Sequence, residues 1–329
     1  MIRPLALLLL AVLVLHLVAL AVLVGPAAIG PREAVAALLG AGEADTVAVV
    51  RSVRLPRALG ALLVGAGLGA SGAALQGFTR NDLAAPGLLG FSACAALGAV
   101  MALYFGQSHA VVPAALGGAA LGATVTALLA RRQVGAGGLI LAGIGVGALA
   151  TAATGLAMNL APNPWALSEL TYWLMGSLES ADMSALAVVG PLTALGVGLL
   201  VLSGRELRAL ALGEDVASSM GVSLPRLQAL LVAGTALCIG AGVALAGAIG
   251  FVGLFVPHIV RRLPRALGGT TDPAALVGRS AVGGAVFLLA TDTVVRATAG
   301  PGTPLYLGIV TSLIGVPFFL YLALRGTAA

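Results

Sequence analysis

The chain has 329 residues, of which 60% are hydrophobic and 9% charged, with a formal net charge of +5. A soluble domain carries about 25% charged residues, so these few charges cannot clothe a water-facing surface, and lipid must be the solvent over most of the molecule. The arginines sit singly or in pairs between apolar runs, as membrane-flanking residues do, which argues against a nucleic-acid partner.

A span needs about 20 apolar residues to cross roughly 30 Å of hydrocarbon. Apolar runs punctuated by Gly, Pro and Arg predict spans at 4–24, 57–76, 86–105, 111–130, 138–158, 186–203, 226–246, 248–262, 277–298 and 305–324. The expected fold is therefore all-α and integral to the membrane, a single transmembrane domain over 1–329 of about ten helices. The first run follows Arg3 and exceeds the 7–15 residues usual for a signal core, so it reads as a retained span. A further short helix is expected at 165–180, near the outer surface. The segment 204–225, GRELRALALGEDVASSMGVSLP, is the longest polar stretch and reads as two short helices separated by a turn at Gly213. It is either a solvated connector or a lever touching a soluble partner.

Orientation follows from the arginines, because positive charge favours the cytoplasmic side. With the N-terminus inside, Arg3, Arg80, Arg131, Arg132, Arg205, Arg208, Arg226, Arg261, Arg262, Arg265, Arg279 and Arg325 fall in the cytoplasm. Only Arg32, Arg51, Arg54, Arg57 and Arg296 fall outside, which supports ten spans with both termini cytoplasmic. Arg51, Arg54 and Arg57 crowd the outer end of the second span, and Arg296 the outer end of the ninth. They serve either an acidic partner outside the membrane or local needs, by snorkelling to headgroups or pairing with Asp292.

Small residues let helix backbones approach in lipid. Gly65 and Gly69 form one GxxxG and Gly143 and Gly147 another. Gly67, Gly69 and Gly72 also match GxGxxG, but inside an apolar span, where packing is the reading and a dinucleotide site is not. The turn 81–87, together with Pro257 and Pro317, breaks helices, either as transporters do along a pathway or as kinks that simply pack. LVGAGLGASGAAL at 63–75 and LVAGTALCIGAGVALAG at 231–247 are built alike and run in opposite directions, as an inverted repeat would.

Chemistry is sparse. The basic residues include no lysine, and a Walker A loop needs one on the β/γ-phosphates, so any ATP and magnesium must be bound by another chain. Cys94 and Cys238 lie in apolar helices and read as packing residues. His16, His109 and His258 have no ligand spacing, and a structural hydrogen bond is expected of His258. No nucleophile–base set or metal set appears, so neither enzyme activity nor a resident cofactor is expected. Asp292 is the chief candidate for an ionisable group at membrane depth.

Five ordered motifs then carry a resemblance. They are RLPRALGALLVGAGLGASGAALQGFTRNDLAAPGLLGFSACAALGA at 54–99, YWLMGSL at 172–178, ALGEDVASSMGV at 211–222, GAIGFVGLFVPHIVRRL at 247–263, and the run at 304–323. Over essentially its full length the chain resembles the FecCD-type permeases, the bacterial inner-membrane subunits of ABC importers for iron–siderophore, heme and vitamin B12. The resemblance implies a homodimer with a path along its two-fold axis. It also implies two cytoplasmic ATP-binding subunits, a periplasmic substrate-binding protein, and import of a bulky metal chelate by alternating access. Iron–siderophore comes first, then heme, then cobalamin. By motif, Arg54, Arg57 and Arg296 look like the residues that dock the binding protein's carboxylates. Gly213, Glu214, Ala217, Met220 and Gly221 are similar to the core of the loop that couples to the ATPase. Gly135, Ala136 and Gly137 fall where a narrow inner gate is expected, without the hydroxyls the family has there. RNDLAAPG departs from the family's RNPLADPG, losing a proline and moving the acid. The alternative class is a secondary transporter with inverted repeats, which would need no ATPase partner.

Overall fold

The computed structural model describes residues 4–131, 135–298 and 305–326, which form a bundle of α-helices. In chain order these are α1 (Pro4–Leu23), α2 (Pro31–Leu38), α3 (Ala44–Ala48), α4 (Leu55–Thr79), α5 (Phe91–Tyr104), α6 (Val111–Ala130) and α7 (Ala136–Asn159). There follow α8 (Pro164–Leu174), α9 (Met183–Leu202), α10 (Gly204–Leu210), α11 (Glu214–Ser219), α12 (Leu224–Ala246), α13 (Val252–Arg262), α14 (Pro273–Thr298) and α15 (Leu307–Gly326). Every span expected from hydropathy has its helix. Six described stretches are long and apolar enough to cross a membrane unaided: Ala44–Thr79, Ser108–Ala130, Ala136–Asn159, Met183–Leu210, Leu224–Ala246 and Pro273–Thr298. Shorter apolar helices occur in α1, α5 and α15.

The departures have physical causes. The eighth span was expected from 248, but α13 begins only at Val252, because Phe251 takes a left-handed conformation with φ 64°. Its 11 residues rise about 16 Å, about half the hydrocarbon thickness. The third span likewise opens as a short 3₁₀ turn, Pro86–Leu89, before α5. Non-helical backbone is tolerated at such depth only where protein covers it, and here the two breaks cover each other. A methyl placed on Gly253 would lie 2.7 Å from Pro86 Cγ. Gln76 stitches them: its Nε2 donates to Ala84 O and Leu254 O, both at 3.3 Å, and its Oε1 accepts from Arg261 Nη1 at 2.7 Å. The displaced acid of the turn, Asp82, pairs with Arg261 at 3.2 Å. The short helix expected at 165–180 ends at Leu174. Between the first two spans the chain is largely helical, with α2, α3 and a π-turn, Val49–Arg54, that runs into α4.

Helix α4 is the hub, and glycines make it so. A methyl on Gly65 would overlap the carbonyl oxygen of Gly284 in α14, one on Gly69 that of Ser280, and one on Gly72 that of Gly253 in α13. The backbones therefore touch directly, which is the packing that lipid rewards. The second GxxxG does the same work: a methyl on Gly143 would lie 2.6 Å from Leu89 Cα, and one on Gly147 2.9 Å from Gly90 Cα. Methyls on Gly60 and Gly67 would lie 3.1 Å from Leu245 and Cys238 of α12, and one on Gly242 of α12 3.4 Å from Val64. The order of these contacts makes α4 and α12 antiparallel neighbours, as the inverted repeat requires. Cys94 and Cys238 are both buried and free.

This seam makes a sharp prediction. Gly65→Val or Gly284→Val should cost about 1–3 kcal/mol of overpacking, read as a lower melting temperature in detergent. Gly117→Ala and Gly145→Ala, whose added methyls meet nothing within 4 Å, should leave melting unchanged.

Candidate functional site

The bundle has two charged ends. At one, α1 finishes, α4 begins and α14 finishes. The last carbonyls of any helix lack intrahelical partners, and in a membrane no water replaces them. Two arginines do so here. Arg54 Nη1 donates to Val22 O and Leu23 O, both at 2.8 Å, and its Nη2 donates to Ala27 O. Arg296 Nη1 donates to Ala21 O at 2.7 Å and Val24 O at 3.0 Å. Gly25 leaves the room this needs, since a methyl there would come within 3.0 Å of Arg54 Nη2. Cations at a helix C-terminus also oppose its negative dipole end.

Asp292 anchors the arrangement. It is fully buried and sits between Arg57 and Arg296. Arg57 Nε donates to Oδ1 at 3.0 Å and Oδ2 at 3.2 Å, and Arg57 Nη2 lies 2.9 Å from Oδ1. Arg296 Nε donates to Oδ2 at 3.0 Å from one turn further along α14. Two guanidiniums thus share one carboxylate, with the third, that of Arg54, held on carbonyls nearby, and the Nη2 of Arg296 is buried without a partner. Of the two readings open for these arginines, the local one is realised: Arg57 and Arg296 pair with Asp292. Arg54, only 4% exposed, is occupied wholly by backbone carbonyls of α1 and the residues after it. The basic side chains that face outward at this end are Arg32 and Arg51.

The opposite end carries the polar segment, and the turn at Gly213 falls where expected, between α10 and α11. Gly213 (φ 111°) and Gly221 (φ 84°) adopt left-handed backbone that other residues resist. Ala217 is fully buried beneath α11, while Met220 and its neighbours Leu212 and Val216 are exposed apolar side chains. The segment is fastened to the bundle at several points. Arg80 lies 3.6 Å from Glu214. Arg208 holds Asp272 with two bonds, Nε to Oδ1 at 2.8 Å and Nη2 to Oδ2 at 2.6 Å. Asp272 also caps the start of α14 through the backbone N–H of Ala274. The hydrogen bond from Arg208 holds the Asp272 carboxyl below the usual carboxylate range, helped by that backbone N–H.

At the candidate gate, Gly135 is buried and donates its N–H to Gln228 Oε1 at 3.2 Å. Ala136 is half-buried and Gly137 exposed, with open space where its side chain would be. The hydrogen bond expected of His258 does not form. Neither ring nitrogen has a partner, and the ring instead lies edge-on to Phe318 with centroids 5.3 Å apart. Among the described residues no group of three or more His, Cys, Asp or Glu side chains is placed to hold a metal ion.

A family model described as the FecCD transport family matches residues 9–325. The chain belongs to the FecCD transport family. It is 40% identical over 296 residues to the cobalamin import system permease protein BtuC of Halobacterium salinarum, covering 88% of this chain and 77% of that one. It is 38% identical over 283 residues to the hemin transport system permease protein HmuU of Yersinia pestis, covering 83% and 82%. Among solved structures it superposes on an inward-facing conformation of a metal-chelate type ABC transporter with a TM-score of 0.86, at 27% identity over 98% of this chain and all of that one. As a FecCD member the chain is a multi-pass membrane transport permease.

Motif reading of the FecCD chain singles out Arg54, Arg57, Arg296 and the 213–221 segment, and the structure gathers each set at one end of the bundle. It does not find Arg208 and Asp272, which are 64 residues apart, nor the carbonyls that Arg54 and Arg296 hold. The one available signal was the end of the first span itself, since the last carbonyls of a helix need partners from elsewhere.

Three outcomes are expected. Asp292→Asn leaves buried guanidiniums without their counter-charge and should cost about 3–5 kcal/mol, seen as a large fall in melting temperature. Arg54→Ala should raise amide exchange of residues 20–28 well above that of α4. As for pH, a carboxyl held low keeps its ion pair above its ordinary pKa and loses it as pH falls through the lowered value. The Arg208–Asp272 pair should therefore survive at pH 5 and fail only below about pH 4, followed by exchange at the start of α14.

Proposed function

We propose that the chain is the membrane-spanning subunit of an ATP-binding cassette importer that passes a bulky metal chelate across the inner membrane by alternating access. The carrying observation is the near-complete superposition on a metal-chelate ABC transporter. The sequence supports a separate motor, since it has no lysine from which to build a Walker A loop. The arginine-rich end, with Arg80, Arg208, Arg226 and Arg261, faces the cytoplasm in this reading. Two ATP-binding subunits engage the segment of Gly213, Glu214, Met220 and Gly221 there, which the buried Ala217 holds to the bundle, and the exposed Leu212, Val216 and Met220 offer them apolar contact. Two copies of the chain enclose the path, with Gly135, Ala136 and Gly137 at its inner mouth. The relatives' names weight heme and cobalamin above the iron–siderophore that the resemblance placed first.

A substrate-binding protein docks at the other end. Three guanidiniums against one carboxylate leave a surplus of positive charge at Arg54, Arg57 and Arg296, which steers an acidic partner. Docking carboxylates would meet the part-exposed Arg57 first, and would reach the buried, unpartnered Nη2 of Arg296 only by parting the cluster.

The test is co-purification of an ATP-binding subunit with the tagged chain and vanadate-sensitive uptake in vesicles. Uptake without such a subunit would point to a secondary transporter. For docking, Arg57→Gln with Arg296→Gln should weaken binding-protein affinity at least about tenfold. Unchanged affinity in the folded double variant overturns the docking assignment.

A further inference from the structure

We infer that Arg208 and Asp272 form the joint through which the polar segment drives helix α14, and that α4 and α14 move as one rod linking the two ends of the molecule. The inference rests on the coupling role proposed for residues 204–225. It begins with how that segment is attached. Leu207 of α10 lies over Gly77 near the end of α4, where an added methyl would be 3.5 Å from Leu207 Cδ2. Gly204 abuts Ala274 in the first turn of α14, with 2.9 Å between its hypothetical methyl and Ala274 Cα. Both helices of the rod are thus touched by α10. The apolar contacts permit sliding, because they have no directional bonds.

The guanidinium–carboxylate pair does not. Its two bonds, at 2.8 and 2.6 Å, form the planar fork that fixes both distance and angle. Asp272 is also the residue whose carboxylate caps α14. A displacement of Arg208 therefore pulls on the helix end itself. The pair is well exposed, 59% and 36%, and exposed pairs add little to stability. Its geometric consequence is larger than its energetic one.

Helix α14 can carry that pull because it is bound to α4 along its length. Gly65 and Gly69 meet Gly284 and Ser280 backbone to backbone, and Arg57 closes the far end on Asp292. With 26 residues, α14 spans about 39 Å. Its far end, through Arg296, holds the terminal carbonyls of α1. The route from α10 to α1 is thus a contiguous series of named bonds, and Arg208–Asp272 is its first link.

The test is a charge-exchange cycle in the assembled transporter, reconstituted with its ATP-binding subunits and binding protein. Arg208→Asp alone and Asp272→Arg alone should lower substrate transported per ATP hydrolysed by roughly threefold to thirtyfold. The melting temperature of Arg208→Asp should stay within about 2 °C of wild type, while that of Asp272→Arg should fall by the few degrees that losing the cap of α14 costs. The double exchange, Arg208→Asp with Asp272→Arg, should recover most of the ratio. Single variants that keep the wild-type ratio overturn the inference. So does a double variant no better than the singles, since the loss is then not carried by the pair. Equal losses of ratio and of melting temperature assign the pair to folding and also overturn it. If the wild-type chain moves substrate with no ATP-binding subunit, the coupling reading itself has failed, and that outcome is seen before any variant is made.

Discussion

Lipid tails are as apolar as leucine, so a helix gains little by hiding leucine from them. What holds α4 to α14 must come from dispersion between closely approaching backbones, and this requires positions with no side chain. Gly65, Gly69 and Gly284 supply them, and a single added carbon at Gly65 or Gly69 would overlap a main-chain oxygen. The remaining architecture follows from that seam. It turns further glycines of α4 toward α12 and α13, making α4 the hub, and it brings position 57 of one helix beside position 292 of the other. Without the backbone contact, the side chains of Arg57 and Asp292 would have no fixed approach.

The charged cluster shows what that seam permits. A buried carboxylate beside buried guanidiniums carries a desolvation penalty, and such clusters persist only with good geometry and satisfied bonds. Asp292 meets these terms with four close contacts to two arginines. The arginines then satisfy what a membrane helix cannot satisfy alone, the carbonyls at the end of α1. Buried charge thus acts here as a fastening between helices. The same residues hold the surplus charge that the docking proposal needs, so the fastening and a docking surface would occupy one place. Partner contact there would bear on the hold over α1 as well.

Hydropathy sufficed to place the ten spans because each is a predominantly apolar run, and the membrane leaves an apolar run little choice but a helix. It was blind to α2, α3 and the π-turn, which are short and mixed in polarity, and to the start of α13, where a left-handed Phe251 delays the helix without any glycine or proline at that position. The GxxxG pairs were legible as packing surfaces, since spacing fixes a helix face. Their partners were not, because nothing in 65 and 69 specifies 284 and 280. The arginines at the outer end were legible as exceptions to the charge bias, and pairing with Asp292 stood as one of two explanations. That Arg54 serves the carbonyls of α1 was not legible. Main-chain acceptors carry no sequence signature, and only the helix end they belong to could have pointed there.

The distribution of regular and broken helix bears on where movement is possible. The α4–α14 pair has backbone contact along its length and ion pairs at its end, so relative sliding would break several interactions together. The opposite holds around the Pro86–Leu89 turn and the start of α13. There two breaks meet through Gln76 and Arg261, whose hydrogen bonds are few and longer on the Gln76 donor side. Helix α13 carries Pro257 and α15 carries Pro317, each deleting a backbone hydrogen bond. A stiff α4–α14 pair thus stands beside a set of short or interrupted elements, the Pro86–Leu89 turn, α13 and α15. In the proposed transport cycle these interrupted elements are the ones that can yield, while the α4–α14 pair moves as a unit between the two ends.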